Sequence, residues 1–92
     1  MEVADVEQHL MSCIRSNIEE SGGDAPAISR DTGIQDEIAG FDSLRAIEVL
    51  IELEAEFDCE LPPEKVLSKT REDNTVANVS QNILNILIRE RL

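Results

Sequence analysis

The sequence predicts an all-α four-helix bundle with three longer helices, one short helix and a long first loop. Three observations carry this. Apolar residues recur at three- and four-residue steps in three long stretches, no stretch alternates with the period of a strand, and Gly or Pro clusters fall where those stretches stop. The 92 residues make one domain, spanning 1–92, too small to enclose a large cleft of its own.

The first helix is expected over 2–20. Val3, Val6, Leu10, Cys13, Ile14, Asn17 and Ile18 share one face, Glu2, Asp5 and Glu7 sit where a helix dipole favours acids, and Ser21-Gly22-Gly23 stops it. Residues 22–41 then form a connection longer than most loops in compact domains. Ile28, Ile34, Ile38 and Phe41 offer apolar anchors, which favours an ordered loop wrapped over the bundle, with a turn at Asp31-Thr32-Gly33.

The second helix is expected from Ser43 to Phe57, with Asp42 as its N-cap. Leu44, Ile47, Leu50, Ile51, Ala55 and Phe57 are read as its inward face, Ala46, Val49 and Leu53 as widening it, and Arg45, Glu48, Glu52 and Glu56 as the opposite side. Leu61-Pro62-Pro63 breaks the pattern and opens a short helix over about Glu64–Lys69, anchored by Val66 and Leu67. Thr70 to Asn74 reads as a polar connector. The last helix runs from about Val76 to Arg89, capped by Asn74 or Thr75, with Val76, Val79, Ile83, Ile86 and Leu87 buried and Arg89 and Arg91 at the end that favours cations.

Twenty carboxylates against eight basic side chains give a net charge of -12. Nucleic acid is excluded as a partner, because that binding is driven by neutralising phosphate, and an anionic membrane surface is disfavoured for the same reason. Basic protein partners found by electrostatic steering are favoured. No apolar run is long enough to cross a bilayer and residues 1–12 carry no signal pattern, so a cytoplasmic monomer is expected. Cys13 and Cys59 lack CxxC spacing and read as free thiols, Cys13 on an apolar helix face.

The segment that carries chemistry is Gly40-Phe41-Asp42-Ser43-Leu44, followed by Arg45-Ala46-Ile47-Glu48. A turn feeds an acid-capped helix and places the Ser43 hydroxyl at its first position, where backbone amides and the helix dipole favour an anion. Leu44 is expected to turn inward and fix the helix start to the core. No base stands near Ser43 in sequence, and the single His, His9, lies far away on the first helix as a boundary residue. There is no GxSxG elbow, P-loop or zinc-ligand spacing, and the stretch from Asp36 to Glu48 lacks the oxygen ligands of a calcium loop. An autonomous hydrolase is therefore rejected, no metal is assigned, and any chemistry at Ser43 requires another protein.

At these residues the chain resembles the acyl carrier protein family. The resemblance rests on Asp42-Ser43-Leu44 with Gly40 before it, on Glu48, on Glu54-Ala55-Glu56-Phe57-Asp58-Cys59-Glu60-Leu61-Pro62, and on Asn74-Thr75-Val76, and it covers nearly the whole chain. It implies a non-catalytic carrier. A phosphopantetheinyl transferase, using coenzyme A and Mg²⁺, would attach 4'-phosphopantetheine to Ser43, with Asp42 and Leu44 beside the arm. The arm's thiol would hold acyl groups as thioesters for acyl-loading and acyl-processing enzymes of fatty acid, polyketide or related biosynthesis. The resemblance also implies docking of basic partner patches along the second helix, through Glu48, with Glu52 and Glu56 as further candidates and Phe41 and Arg45 beside them. It implies a bundle interior that can shelter an acyl chain, with which an aliphatic core having only Phe41 and Phe57 as aromatics is compatible.

Phe41 and Arg45 depart from the commonest fatty-acid carriers, as does a longer segment from Pro62 to Thr75, and together they suggest a specialised, polyketide-like carrier. The competing readings are an acidic helical interaction module that keeps the fold without the arm, and an aminoacyl or peptidyl carrier.

Overall fold

The computed structural model describes residues 2–90. Among them the chain forms α1 (Val3–Glu20), α2 (Ser43–Phe57), α3 (Pro63–Val66), a 3₁₀ turn (Arg71–Asp73) and α4 (Val76–Glu90). Arg91, expected to support the end of the last helix, lies outside the described residues.

Acids open α1 and glycine closes it. The Glu2 amide donates to Asp5 Oδ2 at 3.0 Å. At the far end Gly22 takes φ +88°, a left-handed turn that a side chain would resist. Val6, Leu10, Ile14 and Ile18 bury the expected face, and α1 packs against both α2 and α4. Glu7 and Asn17 are buried with them. Glu7 meets Arg30 from the first loop at 3.3 Å, so this acid serves a long-range ion pair as well as the first turns.

The long loop is ordered over the bundle, with Ile34, Ile38 and Phe41 buried and Ile28 half-buried. Its turn closes from the Thr32 amide to Ser29 O at 3.1 Å, two residues ahead of the expected position. Gly33 is instead used in an antiparallel bridge to Thr75. That pairing completes α4: the amides of Val76 and Ala77 donate to Thr32 O and Arg30 O at 3.0 and 2.8 Å, and Asn78 donates to Thr75 Oγ1 at 3.1 Å. First-turn donors that a helix leaves unpaired are thus satisfied by the loop and by the Thr75 cap.

The inner face of α2 differs from the expected one. Ala46, Val49, Leu50, Leu53 and Phe57 are buried, whereas Leu44 and Ile51 are 66% and 59% exposed, Ile47 sits at 36%, and Ala55 is exposed. Residues on a helix advance by ~100° each. Positions 46, 49, 50, 53 and 57 therefore form one stripe, and 44, 47 and 51 a second stripe turned well away from it. Leu44 does not anchor the helix start; Phe41, 2% exposed, does so from the loop.

α3 is one turn long and ends before the expected Lys69. Leu67 is already extended (φ -99°, ψ 138°), and the Ser68 amide is captured by Asn74 Oδ1 at 2.7 Å. α4 buries Val76, Val79, Ile83 and Leu87 as expected, and Ile86 only in part.

Candidate functional site

The start of α2 is set by Asp42, whose extended backbone (φ -89°, ψ -174°) and carboxylate form the cap: Oδ1 accepts from the Arg45 amide at 3.0 Å. Gly40, at φ +75°, allows the chain to reverse just before it. Ser43 is the first helical residue and is exposed. Among the described residues no acceptor pairs with the amides of Ser43 and Leu44. Two free donors, the positive helix end and an exposed hydroxyl therefore meet at one point, which suits a phosphate ester on that hydroxyl.

The Ser43 hydroxyl has one side-chain hydrogen-bond partner among the described residues, Gln35, whose Nε2 donates to Oγ at 3.2 Å. Gln35 was not singled out in the sequence, since nothing in its spacing separates it from an ordinary loop residue. It is 8% exposed and is held in turn by Asn74, 1% exposed, through Asn74 Nδ2 to Gln35 Oε1 at 2.8 Å. Arg71 donates to the Gln35 carbonyl at 3.0 Å.

His9 is not near this hydroxyl. Its Nδ1 lies 2.8 Å from Glu56 Oε1, in the last turn of α2, and its ring meets Phe57 edge-on at 5.2 Å. Among the described residues no imidazole or carboxylate hydrogen-bonds to the Ser43 hydroxyl. Among the described residues no cluster of three or more His, Cys, Asp or Glu could hold a metal ion.

The structure separates the expected docking residues. Phe41 is buried and cannot meet a partner; it belongs to the core. Leu44, expected inward, stands exposed beside Ser43. Arg45 is half-buried and turned to α1, donating to Asn17 O and Oδ1 at 3.4 and 3.1 Å. Glu48 accepts from Asn17 Nδ2 at 3.3 Å, and Glu56 accepts from Cys13 Sγ at 3.7 Å as well as meeting His9. Glu48, Glu52 and Glu56 nevertheless remain exposed, along the edge of α2 that borders α1. Burial and the carboxylates of Glu56 and Glu52 push the Cys13 thiol up to about 12. Glu54 has an internal role, accepting from the Leu61 amide at 2.8 Å and fixing the chain as it leaves α2.

On the other flank of α2, Ile47, Ile51, Leu61 and Pro62 line an open groove of about 550 Å³, rimmed by Glu54 and Glu60. The interior is filled: the void among Leu10, Ile34, Phe41, Val49, Leu50 and Val79 is about 10 Å³. No room for a chain-like guest exists until the core parts.

The Asp42-capped start of α2 thus presents an exposed hydroxyl on a small helical domain. Residues 8–83 match the family model described as the phosphopantetheine attachment site, and the chain belongs to that family. The family's prosthetic group is 4'-phosphopantetheine, and its domains serve as carriers. No solved structure matches the chain significantly. No helix among the described residues is long and apolar enough to cross a membrane.

Proposed function

We propose that the protein is a discrete acyl carrier and that Ser43 bears its 4'-phosphopantetheine arm. The observation that carries this is the exposed Ser43 hydroxyl at the Asp42-capped start of α2, next to two unpaired backbone amides. Bound there, the arm supplies a thiol that holds an acyl group as a thioester, whose carbonyl is more readily attacked than an ester's. The protein's own residues do the rest. Asp42 fixes the helix start; the amides of Ser43 and Leu44 would hold the phosphate, and the exposed Leu44 would flank the arm.

Partners are a phosphopantetheinyl transferase and acyl-loading and acyl-processing enzymes with basic patches. Glu48, Glu52 and Glu56, exposed along one edge of α2, support that docking face within a chain of net charge -12. Cargo from fatty acid, polyketide or related biosynthesis fits this reading.

The test is intact mass after incubation with coenzyme A, Mg²⁺ and a broad-specificity transferase. A phosphopantetheine adduct on the wild type, absent from Ser43→Ala at unchanged helicity, is expected. Lack of any Ser43-dependent adduct overturns the carrier reading in favour of an acidic helical interaction module.

A further inference from the structure

Two buried amide side chains, Gln35 and Asn74, lead from the backbone of the α3–α4 connection to the Ser43 hydroxyl, and the direction of every bond in the chain is determined. The Ser68 N–H can only donate, and it donates to Asn74 Oδ1 at 2.7 Å. Asn74 Nδ2 must therefore face the other way, where it donates to Ser68 O at 3.1 Å and to Gln35 Oε1 at 2.8 Å. An inverted Gln35 amide would set NH₂ against NH₂ in a buried site, so Gln35 Nε2 faces Ser43 Oγ at 3.2 Å. An amide NH₂ offers no lone pair to a hydroxyl. Ser43 Oγ accepts, and its own proton points away from Gln35.

We infer that the Ser68–Asn74–Gln35 chain positions the Ser43 hydroxyl for modification, turning its proton outward to an approaching enzyme. This rests on Ser43 being the modified residue. In transfer from coenzyme A, Ser43 Oγ forms a bond to the phosphorus that bears pantetheine. The bond from that phosphorus to the oxygen bridging to the adenosine half breaks, adenosine 3',5'-bisphosphate leaves with the electron pair, and the hydroxyl proton passes to a base of the transferase. A hydroxyl whose proton pointed inward would first have to turn. The same Gln35 donor suits the product, because Nε2 can still donate to the ester oxygen. Gln35 hydrogen-bonds the oxygen that reacts, and Asn74 acts through Gln35.

Two substitutions reverse the bond without emptying the site. Gln35→Glu keeps an acceptor for Asn74 Nδ2, but its second oxygen accepts only, so Ser43 must donate inward. Asn74→Asp keeps the acceptor for Ser68 N–H but loses the donor to Gln35, whose amide then inverts and presents Oε1 to Ser43. Purified full-length variants are assayed with a transferase, coenzyme A and Mg²⁺. Each is expected to lower kcat by at least roughly tenfold, the rate equivalent of one misdirected hydrogen bond at the reacting oxygen. KM for coenzyme A and for the carrier stays at wild-type values. A purely structural role would lower the melting temperature or raise KM and leave kcat alone. As a readout apart from modification, the Gln35 side-chain NH₂ resonances are expected to shift in Ser43→Ala.

Wild-type kcat in Gln35→Glu, or NH₂ resonances indifferent to Ser43→Ala, overturns the positioning role while leaving Ser43 as the attachment residue. A wild-type protein with no Ser43-dependent adduct overturns both. If Asn74→Asp fails to fold, Gln35→Glu and the resonance shift decide the matter.

Discussion

Asn74 Nδ2 and Gln35 Oε1 meet at 2.8 Å, joining residues that are 39 apart in sequence. Asn74 also exchanges two hydrogen bonds with the Ser68 backbone, and its carbonyl accepts from the Ile34 amide at 2.8 Å. The 1%-exposed side chain thus ties the long loop to the α3–α4 connection, and the Asn74 backbone adds a second tie to the loop. Asn74→Ala leaves the Ser68 amide and Gln35 Oε1 without their partner, and each such loss costs about 1–3 kcal/mol. The expected result is a urea midpoint lowered by an amount equivalent to about 2–6 kcal/mol at unchanged slope.

Alkaline stability should depend on Cys13. Burial first, then Glu56 and Glu52, raise its thiol from 9.0 to about 12. Between those values the folded state holds a proton that the unfolded state releases, so stability is present below the unfolded value and is lost as pH climbs toward the folded one. Cys13→Ser is expected to flatten that decline in denaturation curves taken across the window. The thiol also stays protonated in neutral buffer, so Cys13 is expected to resist iodoacetamide in the folded protein and react after unfolding.

Along α2, burial and hydrophobicity part company, and stability should follow burial. Leu53 is fully buried, and Leu53→Ala is expected to cost about 2–5 kcal/mol. Ile51 is 59% exposed, and Ile51→Ala is expected to cost under about 1 kcal/mol. Equal losses for the two would contradict the orientation of α2.

The start of α2 was legible because it rests on local chemistry, an aspartate that caps, whereas its end is set by Asp58 turning left-handed at φ 51°, ahead of the Leu61-Pro62 step. Its inner face was not legible. Leu44, Ile47 and Ile51 are as apolar as Val49 and Leu53, and a helix apolar over so wide an arc does not declare which stripe is covered. Phe41 read as a loop anchor first and a partner contact second, and its packing makes it the anchor. Gln35 and Asn74 were invisible for another reason. Buried amides follow no hydrophobic period, and what pairs them is loop geometry between distant segments. The proposal for Ser43 could be drawn from the sequence because it rests on neighbours adjacent in the chain.

Ser80 is fully buried in α4, and its Oγ has no hydrogen-bond partner among the described residues. A buried hydroxyl without a partner has lost its hydration for no return, and serine is a poorer helix former than alanine. Ser80→Ala is therefore expected to raise stability by about 1 kcal/mol, read from the urea midpoint. A loss of stability would mean that the hydroxyl is bonded in solution.

Glu52 offers the cleanest test of the acidic edge. Glu48 and Glu56 hydrogen-bond to Asn17, His9 and Cys13 of α1, so replacing either disturbs the helix seam as well as the surface. Glu52→Lys reverses one exposed charge beside them. If basic partners are steered to this edge, loading by the transferase at low salt should lose roughly tenfold in kcat/KM, mostly through slower association. The gap should narrow by about 0.5 M salt, where the screening length shrinks to a few ångströms. The melting temperature should hold. The substitution also carries an internal control: it removes one carboxylate that raises the Cys13 thiol and adds a cation, so that thiol should titrate lower than in the wild type. A lowered thiol with kinetics unchanged at every salt concentration would show the new charge in place and ignored, and docking would have to lie on another face.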